Sequence, residues 1–129
     1  MPFLLALLGC CLLVVRRMWC VGQELHWLGL GFVCISAGVA LQLVWRPASL
    51  LWFVQGFSVC YLLGFSGLGQ ALATRMGVHF PWRSVLLLSV VTMALQAWFS
   101  SVEPNLEVRV YLINGVCWAI MGVPLLQWR

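Results

Sequence analysis

The sequence predicts an all-α protein: a polytopic membrane bundle of five transmembrane helices, or four if the first apolar stretch does not cross. Of 129 residues, 64% are hydrophobic and only 8% are charged, and the mean hydropathy of +1.03 exceeds what a soluble domain tolerates on its surface. Five apolar stretches are separated by short joints that carry nearly every charge. Because lipid offers the backbone no hydrogen-bond partner, such stretches favour helices over strands.

The spans follow from the roughly 17 apolar residues that a helix needs to cross a bilayer. We place them at 2–17, 27–45, 50–68, 84–101 and 110–128, within a single transmembrane domain, 1–129. The first stretch is the shortest, and it crosses only if the stems of Arg16 and Arg17 extend toward the headgroups. A cleaved signal peptide is the alternative for this stretch, but no basic region precedes it and no small-x-small cleavage site follows it.

Prolines mark two of the joints. Pro47 disfavours helix at the residue before it and suits the start of a new helix, so helices two and three are expected to form an antiparallel hairpin. Pro104 similarly separates the fourth helix from the fifth. The longest joint is expected at 69–83, where Arg75 and His79 lie.

Arginine placement predicts the orientation of the spans. Basic residues are enriched in cytoplasmic joints, so the side with more of them is expected to be the cytoplasm. The N-terminus is then outside and the C-terminus inside a bacterial inner membrane. Most of the eight Trp residues fall at or near a predicted helix end, as expected for a ring that prefers the membrane interface. The larger group of basic residues is Arg16, Arg17, Arg75, Arg83 and Arg129, and the smaller group is Arg46 and Arg109.

The six Cys and two His residues form no metal or redox pattern. There is no Cys-x-x-Cys pair, and Cys inside a span behaves as a small apolar residue. His26 and His79 are not at ligand spacing. We therefore expect no metal site, no cofactor, no catalytic residue and no enzymatic activity. The net charge of +4 is distributed as in membrane joints, which does not favour a nucleic-acid partner.

Small residues predict which helix faces touch, because they let two backbones approach closely. Each ridge of small residues can serve packing within the bundle or dimerisation between chains, and we favour internal packing. One ridge lies on helix three and the other on helix five, and they consist of Gly56, Cys60 and Gly64, and of Gly115, Ala119 and Gly122.

Uncharged polar residues inside the spans predict a polar, inward-facing region. An amide without a partner in hydrocarbon is costly, so the polar face of helix four is expected to look inward, and the amide residues are expected to converge toward the outer leaflet. Two interpretations stay open: interhelical hydrogen bonding, which we favour, and a shallow pocket where a small ligand biases helix packing. No ionisable residue falls inside the spans, which disfavours a transporter or a membrane enzyme. The residues concerned are Gln42, Gln55, Ser89, Thr92, Gln96 and Asn114.

Three parts of the chain carry a resemblance to a known family. The segments 26–41 (HWLGLGF followed by SAGVAL), 61–68 (YLLGFSGL) and 101–110 (SVEPNLEVRV) resemble the multi-pass membrane regions that precede bacterial diguanylate cyclase domains of the GGDEF type. The resemblance covers most of residues 20–129 and implies a sensory module. Residues 70–73 depart from the basic and aromatic character usual after the third helix, and the output domain's own motif is absent.

We therefore expect an integral membrane sensory or anchoring module, without catalytic activity of its own, that relays through helix five to cytoplasmic signalling machinery. The alternative is a small structural subunit of a larger membrane complex, attached through the two ridges. The expected partners are the lipid bilayer and either a second copy, in a homodimer, or that larger complex. Pro124 is expected to kink helix five near its end, either as a hinge or as a packing adjustment.

Overall fold

A computed structural model describes residues 2–19, 22–44, 49–102 and 105–127. The predicted all-α class is confirmed, since these residues form five helices and no strand. Every predicted span lies within one helix, except that Trp45 and Trp128 are outside the described residues, as are Arg46, Pro47, Glu103 and Pro104 of the predicted turns. The helices are α1 (Pro2–Trp19), α2 (Gln23–Val44), α3 (Leu50–Met76), α4 (Trp82–Ser101) and α5 (Leu106–Gln127).

Four of these helices, α2 to α5, are long and apolar enough to cross a membrane. Large apolar side chains are also exposed along them, for example Leu87 on α4, which is 68% exposed, and Trp118 on α5. A soluble protein rarely exposes so much apolar surface, whereas lipid contact stabilises it. Helix length and surface composition therefore agree on a multi-pass membrane protein.

Helix α3 continues through much of the segment where the longest joint is predicted. The predicted joint is wrong over these residues, because the polar side chains that suggested it form hydrogen bonds along the helix. The Thr74 hydroxyl, for example, donates to the Gln70 carbonyl at 2.8 Å. The helix ends at Gly77, whose φ of +67° suits a residue without Cβ and whose backbone N–H donates to carbonyls one turn back. The buried Phe80 ring then holds the short turn against Gly69 of α3.

Helix α3 is the centre of the bundle. It contacts α2 on one side and both α4 and α5 on the other, while α4 contacts α5 and α1 contacts α2. Among the described residues, the backbones of α2 and α5 do not approach each other closely. The two helices therefore flank α3 with a gap between them.

Close backbone approach joins α2 to α3. A Cβ built on Gly31 would lie 2.9 Å from the carbonyl oxygen of Gly64, and one on Gly38 would lie 3.2 Å from the Cys60 Cβ. Gly64 and Cys60 therefore lie in an interhelical contact, as the ridge on helix three predicts. Gly56, the third member of that ridge, is half-buried.

The ridge on helix five does not pack inside the bundle. A Cβ on Gly115 or on Gly122 would meet nothing within 4 Å, and Ala119 is exposed. The internal packing that we favoured is therefore wrong for this ridge. Small residues permit a close approach of two helices but do not require one. The spacing of small residues along a helix therefore does not by itself identify a contact between helices.

Helix α1 packs against α2 but starts short of its end. The Ser36 hydroxyl donates to the Pro2 carbonyl at 2.6 Å, and α2 continues eight residues beyond Ser36 to Val44. At 1.5 Å per residue, α1 thus begins about 12 Å before α2 ends. A complete crossing of the bilayer by the first stretch stays a prediction.

Candidate functional site

The gap between α2 and α5 contains a cavity of about 470 Å³, with α3 as its floor. We call it the α2–α5 cleft. Its volume falls in the range of about 300–1,000 Å³ that small-molecule sites occupy. It lies toward the end of the bundle where α2 ends and α3 and α5 begin. The lining residues are Ile35, Gln42, Leu50, Phe53, Val54, Phe57, Tyr61, Phe65, Gln96, Leu106, Arg109, Val110, Ile113, Asn114 and Cys117.

Aromatic side chains of α3 form most of the floor. Phe53, Phe57 and Tyr61 follow one another at four-residue spacing, and successive rings meet edge to face with centroids 5.5 and 6.1 Å apart. Such pairs add stability beyond the area they bury. The floor is therefore an ordered apolar surface.

Among the described residues, one charged side chain lines the cleft. Arg109 lies in the first turn of α5 and is only 8% exposed. Its Nη1 donates to the Ser100 hydroxyl and its Nε to the Asn105 carbonyl, each at 3.4 Å, which is long for a hydrogen bond. A cation at a helix N-terminus is also on the unfavourable side of the helix dipole. The guanidinium is therefore buried and positively charged, and its contacts with the described residues are two weak ones to uncharged oxygens.

Three predicted amide residues line the same cleft but do not bond one another. Gln96, 1% exposed, reaches it from α4 and accepts a short hydrogen bond from the buried Ser58 hydroxyl. The Gln42 side-chain amide oxygen, Oε1, is 3.5 Å from the Tyr61 hydroxyl, which donates to it. Asn114 is exposed on α5. The three residues thus share one cavity, but the predicted hydrogen bonds among them are wrong, and their place toward the outer leaflet stays a prediction.

The other predicted polar residues lie on α3 and α4. The Gln55 amide donates to the Met93 carbonyl at 3.0 Å, so it joins α3 to α4. Ser89 lines a smaller groove between those helices and donates to the Val85 carbonyl, while the buried Thr92 donates to the Leu88 carbonyl. Interhelical hydrogen bonding, the favoured interpretation, therefore holds for Gln55 but not for Ser89 and Thr92, which bond within α4.

The prediction that no ionisable group joins the polar residues is wrong, because Arg109 does so. The error comes from counting Arg109 as part of a joint, whereas α5 begins at Leu106. A sequence signal for that start exists: the Asn105 side chain accepts from the backbone N–H groups of Glu107 and Val108, as a helix N-cap does. The observation that disfavoured a transporter therefore does not hold.

Metal ligands do not gather anywhere in the part of the chain that the structure describes, since no group of three or more His, Cys or acidic residues is found there. Cys117 is the one cysteine that lines the cleft. Its neighbours there are largely apolar, so its contribution is to the packing surface.

No protein family, curated protein or solved structure matches this chain. The resemblance to the membrane regions of GGDEF-type cyclases therefore stays a prediction. The case for function depends on the cleft.

Proposed function

We propose that this chain is a sensory or anchoring module of the bacterial inner membrane, which binds a ligand in the α2–α5 cleft and relays its presence to cytoplasmic signalling machinery. The observation that carries the proposal is the cleft itself, a ligand-sized apolar cavity with a few polar groups directed into it. A buried ionisable residue in a membrane helix is expensive, which makes a functional role its default interpretation.

Helix α5 supports the relay part of the proposal. Arg109, Ile113 and Cys117 of α5 line the cleft, whereas Ile120 and Pro124, nearer its C-terminal end, are buried. Ile120 packs in a core cluster with Phe80, which belongs to the α3–α4 turn, and a Cβ built on Gly69 of α3 would lie 3.3 Å from the Ile120 carbonyl oxygen. A ligand that moves the start of α5 therefore acts on a helix that continues to the far end of the bundle.

If the cleft binds a ligand, the ligand should stabilise the folded protein, and a bulky side chain placed in the cleft should prevent that binding. Val110 lines the cleft and is 46% exposed, so Val110→Trp fills the cavity without overpacking a buried position. In dodecyl maltoside, we expect hexadecanol, hexadecanoate or hexadecylamine to raise the thermal unfolding midpoint of the wild type but not that of Val110→Trp. Leu87→Trp, on the lipid-facing side of α4, is the matched control and should respond as the wild type does.

Equal responses of the wild type and Val110→Trp would contradict the proposal, because binding would then be nonspecific. No response of the wild type to any of the three amphiphiles would contradict it as well.

The proposal requires the C-terminus to be in the cytoplasm, with the cleft at the outer side. Arg16, Arg17, Arg75 and Arg83 lie near helix ends at the end of the bundle opposite the cleft, and cytoplasmic ends carry more basic residues. Alkaline phosphatase fused after Arg129 is expected to be inactive, since it folds only outside the cytoplasm. An active fusion would place that end outside and exclude the relay.

A specific observation favours a second candidate, the small structural subunit. The ridge of Gly115, Ala119 and Gly122 is open to an approaching helix. Purification from native membranes separates the candidates: a stoichiometric larger complex favours the subunit, and a free monomer or homodimer favours the sensor.

A further inference from the structure

We infer that the ligand of the α2–α5 cleft is an anionic amphiphile, whose negatively charged head pairs with Arg109 and whose hydrocarbon chain lies on the aromatic floor. This inference depends on the proposed function and adds the chemical class of the ligand. The shared chemistry is a carboxylate or phosphate joined to an apolar chain, either a free single-chain acid or an anionic phospholipid.

The charge of the head follows from the position of Arg109. Its guanidinium has several donors in a planar fork, and only two of them have a described partner, both at 3.4 Å. Asn105 caps N–H groups at the start of α5, so among the described residues that line the cleft, Arg109 is the group that can recognise an anion. An anion would offset the buried charge and its unfavourable place on the helix dipole, and a bidentate contact would match carboxylate or phosphate geometry.

The chain follows from the surfaces next to Arg109. From Arg109 the cleft extends eight residues along α5 to Cys117, or about 12 Å. Along that length the lining is mostly carbon, such as that of Phe53, Phe57 and Ile113, with only a few amides beside it, fewer polar groups than a sugar or peptide would need. Because the backbones of α2 and α5 stay apart among the described residues, the cleft opens at the side, where a lipid-dissolved molecule can enter.

The test compares head groups on the same chain, bound to the protein in dodecyl maltoside and counted by native mass spectrometry. Hexadecanoate and phosphatidylglycerol are the two anionic arms, and hexadecanol and phosphatidylcholine are their respective controls. We expect the wild type to bind at least one anionic arm about tenfold or more tightly than its control. The arm that shows the preference identifies the source as a free acid or a phospholipid.

Arg109→Gln is expected to remove that preference while hexadecanol still binds, which shows that the cleft is intact. Each ligand also partitions into detergent micelles, but this partition is the same for every variant. It therefore does not affect the ratio of affinities of one ligand for two variants. Arg83→Gln removes an exposed arginine at the other end of the bundle and should keep the preference. If Arg109→Gln loses hexadecanol binding as well, Arg109→Lys decides, since the retained charge should retain a preference for the anion.

Equal affinity of the wild type for anionic and neutral arms would overturn the inference and leave the proposed function standing, whereas no binding by any arm would overturn both. If the wild type showed no preference for an anionic ligand and Glu103→Gln did, the Glu103 carboxylate of the chain itself would be the partner of the Arg109 guanidinium. That result would also overturn the inference.

Discussion

Gly64→Leu is expected to separate α2 from α3 and to destabilise the bundle by about 3 kcal/mol or more. A Cβ at Gly64 would lie 2.5 Å from Ile35 Cγ1, 3.0 Å from the Gly31 carbonyl oxygen and 3.1 Å from the Ile35 backbone nitrogen. The Ile35 side chain can rotate, but the two backbone atoms move only if the helices part. Because Ile35 also lines the α2–α5 cleft, ligand binding should be lost together with stability.

Gly122→Leu is the matched control for this prediction. The same substitution is made in a helix interior, but a Cβ at Gly122 meets nothing within 4 Å. Both variants gain about 1 kcal/mol of helix propensity, so the difference between them isolates the collision with α2. Unfolding by sodium dodecyl sulfate in mixed micelles measures both, and equal midpoints would show that α2 and α3 do not approach as described.

Hydropathy predicts the helices well because the bilayer leaves the backbone few alternatives. A span needs its apolar residues in one continuous run, and each predicted span lies within a helix wherever the chain is described. Helix ends are predicted less well, since polar residues inside the bundle resemble those of a joint. Gln70 and Thr74 look like part of a joint in the sequence, yet they hydrogen-bond along α3.

Contacts between helices are only partly readable from small residues. Gly64 and Gly122 have similar sequence neighbourhoods, and only the first touches another helix. The difference lies in which way each helix faces, and that orientation results from all the side chains of the bundle together.

The candidate site shows the same limit. Gln42, Gln96 and Asn114 were placed at one end of the bundle, and they do line one cavity. Arg109 was missed because a charge near a helix end is usually solvated. It is recognisable once Asn105 is taken as an N-cap, because Arg109 then shares a face with Ile113 and Cys117.

The largest effect on binding is expected at the mouth of the cleft. Val110→Trp should abolish occupancy, because an indole ring placed there takes the space in front of the aromatic floor. A photoreactive ligand reports occupancy residue by residue, which a change in stability does not. It also separates a true site from the lipid contact that every membrane helix makes.

The measurement that tests ligand binding in the α2–α5 cleft most directly is photolabelling in phosphatidylcholine nanodiscs with a hexadecanoate that carries a diazirine on its chain. We expect adducts on Phe53, Phe57 and Ile113 in the wild type and in Leu87→Trp, and their loss in Val110→Trp. Adducts spread over lipid-facing residues in proportion to their exposure, and unchanged in Val110→Trp, would contradict the existence of the site.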